Sequence, residues 1–477
     1  MAKTYVNAFV NAGLSNDLLI SKKEGADDWV FSNKDEGQMA AAASLGLLQI
    51  WDIDEGLEAI DKYLERPEDN IQAGSYLALG ILSSGIKNDA DAAYAILADK
   101  LEAATKESHK IGILMGLSLA YAGSARADLL EVISPIIVDS DNSIELQAIA
   151  SLSIGMIFCG SCDQDAAESI TQILLEKEEK DLEHSFTRIF ALGLGLLFLG
   201  QQSLVENTLE VVKYLPHKNM AEFVGLVMET CAYAGSGNVL TIQKLLHLCA
   251  EHKEDEKDAT HQIAAVLGVA LVAFGEDIGE TMCLRTMKHL LQYGEPIIKR
   301  TVPLAIGLLR ISNPEVTTMD LLNKLAYDAD KGVSKSAILA LGLIGAGTNN
   351  SRLSGHLRYL ATYFGSSRDQ LFVVRIAQGL IHLGKGMLGL SPMHSGKFLF
   401  SNVSLAGLIT VLYAATDMDT FINGKYHYFL YYLVLSMYPR MLVTLNDKLE
   451  HQKCSVRVGQ AVDVVGAAGQ PRGIAGF

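Results

Sequence analysis

A pattern of small and apolar positions recurs along the chain from Ala41 onward, reading roughly Ala-x-x-Leu-Gly-Leu-x-x-x-x-Gly. Clear copies run from Ala78-Leu79-Gly80-Ile81 to Gly85 and from Ser153-Ile154-Gly155-Met156 to Gly160. Two more run from Gly193-Leu194-Gly195-Leu196 to Gly200 and from Ala340-Leu341-Gly342-Leu343 to Gly347. Weaker copies end at Gly123, Gly235, Gly275, Ser312 and Gly384. From Gly85 to Gly384 the successive closing residues are 38, 37, 40, 35, 40, 37, 35 and 37 positions apart. A period near 37 holds two helices and two turns, as in helical solenoids.

The two halves of each period differ. One is a nearly uncharged Gly/Ala segment, which reads as an inner helix packed on both sides. The other is amphipathic, as in Ala166 to Lys177 or Leu204 to Tyr214, and reads as an outer helix with one wet face. Glycine inside a helix costs roughly 1 kcal/mol relative to alanine. Its recurrence therefore points to helices approaching so closely that a Cβ would clash. The closing glycine fits the left-handed position that ends a helix. The fold class is all-α: an α-solenoid of helix-pair repeats that is expected to curl into a closed toroid, with a small β-containing C-terminal region.

The pattern divides the chain into residues 1–38, an incomplete helix and polar turn at the end of an N-terminal helical region; 39–416, the repeat array; and 417–477, which loses the Gly/Ala pattern. Val456-Arg457-Val458 and Val462-Asp463-Val464-Val465 are predicted strands. Glu251 to Asp258 reads as a charged, solvated loop.

Composition agrees with helices covered on several sides: 49% of residues are apolar and only 20% charged. The formal charge of −16 argues against binding nucleic acid, whose affinity comes from Lys and Arg on phosphates. It suits a partner with a basic surface. Six cysteines in 477 residues make no disulfide framework and point to a reducing compartment. The uncharged run Phe398 to Thr416 could nominally span a bilayer, but Ser401, Asn402 and Ser404 interrupt it, and buried helix packing accounts for it.

Candidate chemistry is sparse. Cys159-Gly-Ser-Cys162 has no second pair to complete a zinc site and falls at a repeat's closing turn. Ser395-Gly396-Lys397-Phe398 lacks both the first glycine and the hydroxyl of a phosphate loop, and Gly384-Lys385-Gly386 reads as a helix-ending turn. No catalytic constellation, metal site or cofactor site emerges. The outer faces are acidic instead. Asp165, Glu168, Gln172 and Glu176 stand three and four residues apart and form one stripe, with Asp163 or Asp165 as its cap. Asp141 with Glu145 one repeat earlier, and Glu206 with Glu210 one repeat later, extend it into a patch. Glu55 and Glu58, near Asp52, Asp54 and Trp51, form a second cluster. A solvated face and a docking site for a basic partner give the same pattern.

The repeats resemble proteasome/cyclosome repeats, shared by the two largest subunits of the 26S proteasome regulatory particle. Several stretches between the repeat motifs resemble the subunit 2 family rather than its sister. They are Ile60-Asp-Lys-Tyr-Leu64, Cys231-Ala-Tyr-Ala-Gly-Ser-Gly237, Gly345-Ala-Gly-Thr-Asn-Asn350, and Ala377-Gln-Gly-Leu380 with His382-Leu-Gly-Lys-Gly386. Pro439-Arg-Met-Leu-Val443 and Val456-Arg-Val-Gly-Gln-Ala-Val462 with Val465-Gly466 belong to the same set. The resemblance implies a non-catalytic scaffold without cofactor or metal, in cytoplasm and nucleus. Implied partners are ubiquitin, ubiquitin-like domains of shuttle receptors, a ubiquitin-specific deubiquitinase and the proteasomal ATPase subunits; nucleic acid and membrane are not among them. It places ubiquitin and shuttle docking on Asp141, Glu145, Asp165, Gln172 and Glu176, with Gln172 neutral where some relatives carry an acid. It places deubiquitinase docking near Glu55 and Glu58. It also implies a chain shorter than its relatives at both ends. Rival readings are a repeat adaptor such as the sister subunit, or an enzyme with a composite site between repeats.

Overall fold

The computed structural model describes residues 1–17, 19–20, 26–87, 91–139, 141–177, 184–252, 260–394, 399–440, 444–450, 452, 455–458 and 472–475. Two compact units divide at Tyr438 and Pro439.

Among the described residues of the first unit, inner and outer helices alternate. The first pairs are α1 (Ala2–Val10) with α2 (Ala26–Ser32), α3 (Glu36–Leu48) with α4 (Ile53–Leu64), and α5 (Asp69–Leu82) with α6 (Ala92–Ala103). Next come α7 (Glu107–Ala120) with α8 (Ala127–Val138), α9 (Ile144–Ile157) with α10 (Gln164–Glu176), and α11 (Thr187–Leu197) with α12 (Glu206–Val212). The series continues with α13 (Lys218–Ala232) and α14 (Val239–Ala250), α15 (Thr260–Ala273) and α16 (Asp277–Tyr293), and α17 (Pro296–Leu309) and α18 (Val316–Leu325). It ends with α19 (Lys331–Ile344), α20 (Ser351–Tyr363) and α21 (Arg368–Ile381).

From α3 to α21 the odd-numbered helices are the Gly/Ala segments and bury most of their residues. On α9 every residue from Leu146 to Ile157 is buried, whereas α10 buries only the stripe Ala166, Ala167, Ile170, Thr171, Ile173 and Leu174. Each odd helix packs on the next, and α1 packs on both α3 and α21. The array is therefore a closed ring. At the seam Tyr5 meets Phe372 edge to face at 6.3 Å, and a Cβ on Gly379 would lie 3.2 Å from Val6 Cα.

Two features of the sequence pattern make this packing possible. A Cβ on Gly80 would stand 2.2 Å from the backbone oxygen of Gly116, and one on Gly155 would stand 2.3 Å from that of Gly193. Helix backbones touch there, and no side chain fits. The closing residues then tie neighbours together. The Gly123 amide donates to Met156 O at 2.9 Å, Gly160 to Leu196 O at 3.0 Å, Gly235 to Leu271 O at 2.9 Å and Gly347 to Leu380 O at 2.9 Å. These bonds satisfy carbonyls that a helix end would otherwise leave open.

The N-terminal residues depart from expectation. Residues 1–38 are not an incomplete remnant before the array: α1 and α2 form an inner and outer pair. The Gly13 amide donates to Leu47 O at 3.1 Å, the same link as in later repeats. The link also occurs at Trp51, whose amide donates to Leu82 O at 3.4 Å with φ +72°, so a tryptophan occupies the glycine position.

The residues after the last repeat depart too. The uncharged run contains α22 (Asn402–Thr416), which packs against α9, α11 and α17. A 3-10 helix, His427–Ser436, packs on α22, α3 and α7. Together they fill the lumen of the ring. Tyr431 donates its hydroxyl to Ala40 O at 2.7 Å, and the Tyr432 and Ser118 hydroxyls pair at 3.1 Å. His427 and Tyr5, both fully buried, pair through Nδ1 and the phenol at 2.7 Å. Residues 417–438 therefore belong to the ring's interior, and the unit boundary falls after Tyr438 rather than after Thr416. The apolar run is uncharged because ring helices cover it. Among the described residues no helix is long and apolar enough to cross a membrane.

Short strand β1 (Leu388–Leu390) pairs with β2, which begins at Met437. In the second unit, β3 (Ser455–Val458) pairs antiparallel with β4 (Arg472–Ala475), Val456 opposite Ile474. The expected strand Val462 to Val465 and the Ser395-Gly396-Lys397 motif lie outside the described residues, as does most of the charged loop, residues 253–259.

Candidate functional site

The acidic stripe is built on α10. The Asp163 carboxylate accepts the Ala166 amide at 2.9 Å and caps the helix, which sets its register. Ala166, Ile170, Ile173 and Leu174 then turn inward, and Asp165, Glu168, Gln172 and Glu176 stand exposed on the opposite face. Gln172 Nε2 donates to Glu176 Oε1 at 3.1 Å, which aligns the last turn of the stripe.

Asp141 approaches from the neighbouring repeat. It is exposed in the turn between α8 and α9, and its amide donates to Asp139 Oδ1 at 3.1 Å. Asn142 Nδ2 donates to Ile136 O at 3.0 Å and pins that turn to the end of α8. Helices α8 and α10 pack side by side. Each ends in an exposed aliphatic residue, Val138 and Leu175, both 45% exposed. These two were not singled out in the sequence, where each reads as one more apolar position at the end of a buried stripe. They give the acidic patch an apolar component.

Glu145 does not join the stripe. Ser143 Oγ accepts the Leu146 amide at 3.2 Å and starts the inner helix α9, so Glu145 sits on that helix's first turn, half-buried. Its carboxylate lies toward Tyr426, which leads to the lumen. Burial pushes the Tyr426 phenol pKa up, and the nearby Glu145 carboxylate adds to the rise. A helix start between Asp141 and Glu145 separates two residues that a continuous helix would have placed together.

Glu206 and Glu210 are exposed on the short helix α12. Glu55 and Glu58 are exposed on α4, whose cap is Asp52, accepting the Glu55 amide at 3.4 Å. Trp51 beside them is 38% exposed. This cluster is two outer helices away from Asp141, so the two acidic patches are separate.

The thiols are set for packing. Cys159 is buried and its Sγ lies 3.6 Å from Asn402 O; burial pushes its pKa up. Burial likewise raises Cys162, which takes a left-handed turn conformation with φ +57°, and Cys231, which is pushed up to about 12. Thiolate character is what nucleophilic or metal-binding cysteine needs, and burial opposes it. Among the described residues, no group of three or more His, Cys, Asp or Glu could hold a metal.

Comparison with known proteins places the repeat and the whole chain. The proteasome/cyclosome repeat family matches residues 336–367, which span most of α19 and α20. The chain is 47% identical over its full length to the 26S proteasome regulatory subunit rpn-1 of Neurospora crassa, covering 53% of that protein. It is 46% identical to 26S proteasome regulatory subunit rpn1 of Schizosaccharomyces pombe, again over all of this chain and 54% of the relative. It is 49% identical to 26S proteasome non-ATPase regulatory subunit 2 homolog A of Arabidopsis thaliana, with the same coverage. The chain spans about half the length of the curated relatives it matches.

Proposed function

Since the chain belongs to the family of 26S proteasome non-ATPase regulatory subunit 2, we propose that it is a non-catalytic scaffold that docks ubiquitin and ubiquitin-like domains on the outer wall of its ring. The observation that carries this reading is the α10 stripe. Asp165, Glu168, Gln172 and Glu176 face solvent together, with Leu175 and Val138 exposed at the ends of adjacent outer helices. A basic partner would be steered by the carboxylates and held by the aliphatic pair. Such docking is salt-sensitive, because exposed charges are screened over about 8 Å at physiological ionic strength. Asp141 borders this surface, and Glu145, half-buried in the first turn of α9, stands apart from it.

The regulatory-particle reading extends to other partners. The separate Glu55 and Glu58 cluster on α4 would dock a deubiquitinase, leaving the α10 surface free for a second visitor. Other faces of the ring would hold the subunit against proteasomal ATPase subunits, in cytoplasm and nucleus. Inner helices that touch backbone to backbone suit a rigid platform for such docking.

Charge reversal tests the assignment. Asp165→Lys with Glu176→Lys should weaken a shuttle ubiquitin-like domain at least tenfold in a calorimetric or NMR titration, with an unchanged helical circular-dichroism spectrum. Unaltered affinity removes the α10 surface from consideration.

A further inference from the structure

The inner helices run parallel, so their positive N-terminal ends gather on one rim of the ring. On that rim a cavity of about 580 Å³ opens at the first turns of four successive inner helices, α11, α13, α15 and α17. Its lining contrasts with a chain of net charge −16. Among the described residues, Arg188, Arg300, His184, His217 and His261 line it, and Asp417, just past the end of α22, is the one acid among them. Met220 and Phe223 supply apolar wall; Thr301 and Thr416 also line it, but their hydroxyls donate to Ile297 O at 3.0 Å and Tyr413 O at 2.7 Å, so the cationic side chains are the main donors left for a ligand.

Arg188 is the key group. It lies half-buried in the first turn of α11, and among the described residues its guanidinium makes no hydrogen bond or ion pair. Burial pushes its pKa down from the ordinary value, and the charge of Asp417 works against that fall. A guanidinium in this position has lost water without gaining a full set of acceptors, a cost that an anionic ligand would remove. Arg300 is held differently. Asp330 accepts its Nε at 2.8 Å, which orients the guanidinium at the pocket's side. His261 is oriented through Nε2, 3.0 Å from Asn219 O.

We propose that this cavity binds a small molecule carrying two or more phosphate groups, with Arg188 as its central contact and Arg300 and the histidines around it. Each parallel helix adds a partial positive charge of roughly half a unit at its N-terminus. The volume falls within the range of small-molecule sites, about 300–1,000 Å³. The site is independent of the acidic docking wall.

Inorganic pyrophosphate serves as the probe in isothermal titration calorimetry against the whole chain, beside a phosphoserine peptide. Pyrophosphate should bind, with affinity reduced about tenfold or more in Arg188→Gln, the worth of one strong charge-assisted contact. Asp417→Asn, which removes the opposing charge, should bind more tightly than the wild type. Arg300→Gln should also weaken binding, and it keeps the test open if the Arg188 variant fails to fold. Absence of pyrophosphate binding at millimolar concentration, or equal binding by all variants, overturns the proposal. A phosphoserine peptide that binds more tightly than pyrophosphate reassigns the pocket to a protein segment and overturns the small-molecule reading.

Discussion

Glycines that look interchangeable in the sequence have opposite roles at atomic scale. At Gly80 a methyl group would meet the Gly116 carbonyl at 2.2 Å, where the obstacle is backbone and cannot move aside. At Gly355, on the outer helix α20, a methyl group would meet nothing within 4 Å. Gly80→Ala should therefore destabilise the ring by about 1–3 kcal/mol, overpacking outweighing the gain in helix propensity. Gly355→Ala should stabilise it by up to about 1 kcal/mol. Denaturant midpoints of the two variants should move in opposite directions, and movement in the same direction would count against backbone contact between inner helices. His427 carries the second residue-level expectation. Burial lowers its pKa to about 3, below the unfolded value of about 6.5. The unfolded chain thus takes up a proton below pH 6.5 that the folded chain refuses until about pH 3. Stability is undiminished by this group above pH 6.5 and falls by up to about 1.4 kcal/mol per pH unit as the pH drops through that window. His427→Asn, which cannot charge but can still accept from Tyr5, should lose less thermal stability between pH 7 and pH 5 than the wild type. Equal losses would mean that the imidazole is not held neutral.

At the level of elements, the sequence was most readable where the repeat is most regular. Alternation of Gly/Ala and amphipathic segments identified inner and outer helices from α5 to α21, and the stripe on α10 followed from spacing alone. The first pair, α1 and α2, escaped notice for two reasons: Gly13 has few of the usual small residues before it, and Trp51 stands where its neighbours have glycine. The 3-10 helix His427–Ser436 escaped because it is apolar on every side and therefore has no periodicity to read. Its ten residues exceed the usual length of such a helix, and the tyrosine bonds to Ala40 and Ser118 hold it in place. Glu145 was misplaced because residue spacing cannot reveal that a new helix begins at Ser143. Asp163 was readable as a cap, and it carries the element's own test. Asp163→Ala should cost about 1 kcal/mol and increase amide exchange in the first turn of α10. Unchanged exchange at Ala166 would show that the cap does not set the stripe.

At the scale of the whole ring, the outward faces of the outer helices are free of packing duty, which the proposed docking requires. Inner helices close on themselves through α1, and the lumen is filled by α22 and the 3-10 helix, so the core owes nothing to the outward faces of the outer helices α2 to α20. Those faces are free to carry charge. Closure was expected from tight packing, but the lumen's contents were not, because covering by distant ring helices is a tertiary fact with no local signature beyond absence of charge. The central claim is that visitors grip the wall at α10 and the adjoining end of α8. Hydrogen–deuterium exchange of the chain, with and without a saturating ubiquitin-like domain, tests it most directly. Protection concentrated in residues 164–176 and 138–142, fading as salt is raised, is the predicted footprint. Protection elsewhere on the ring, with those two segments unchanged, would contradict it.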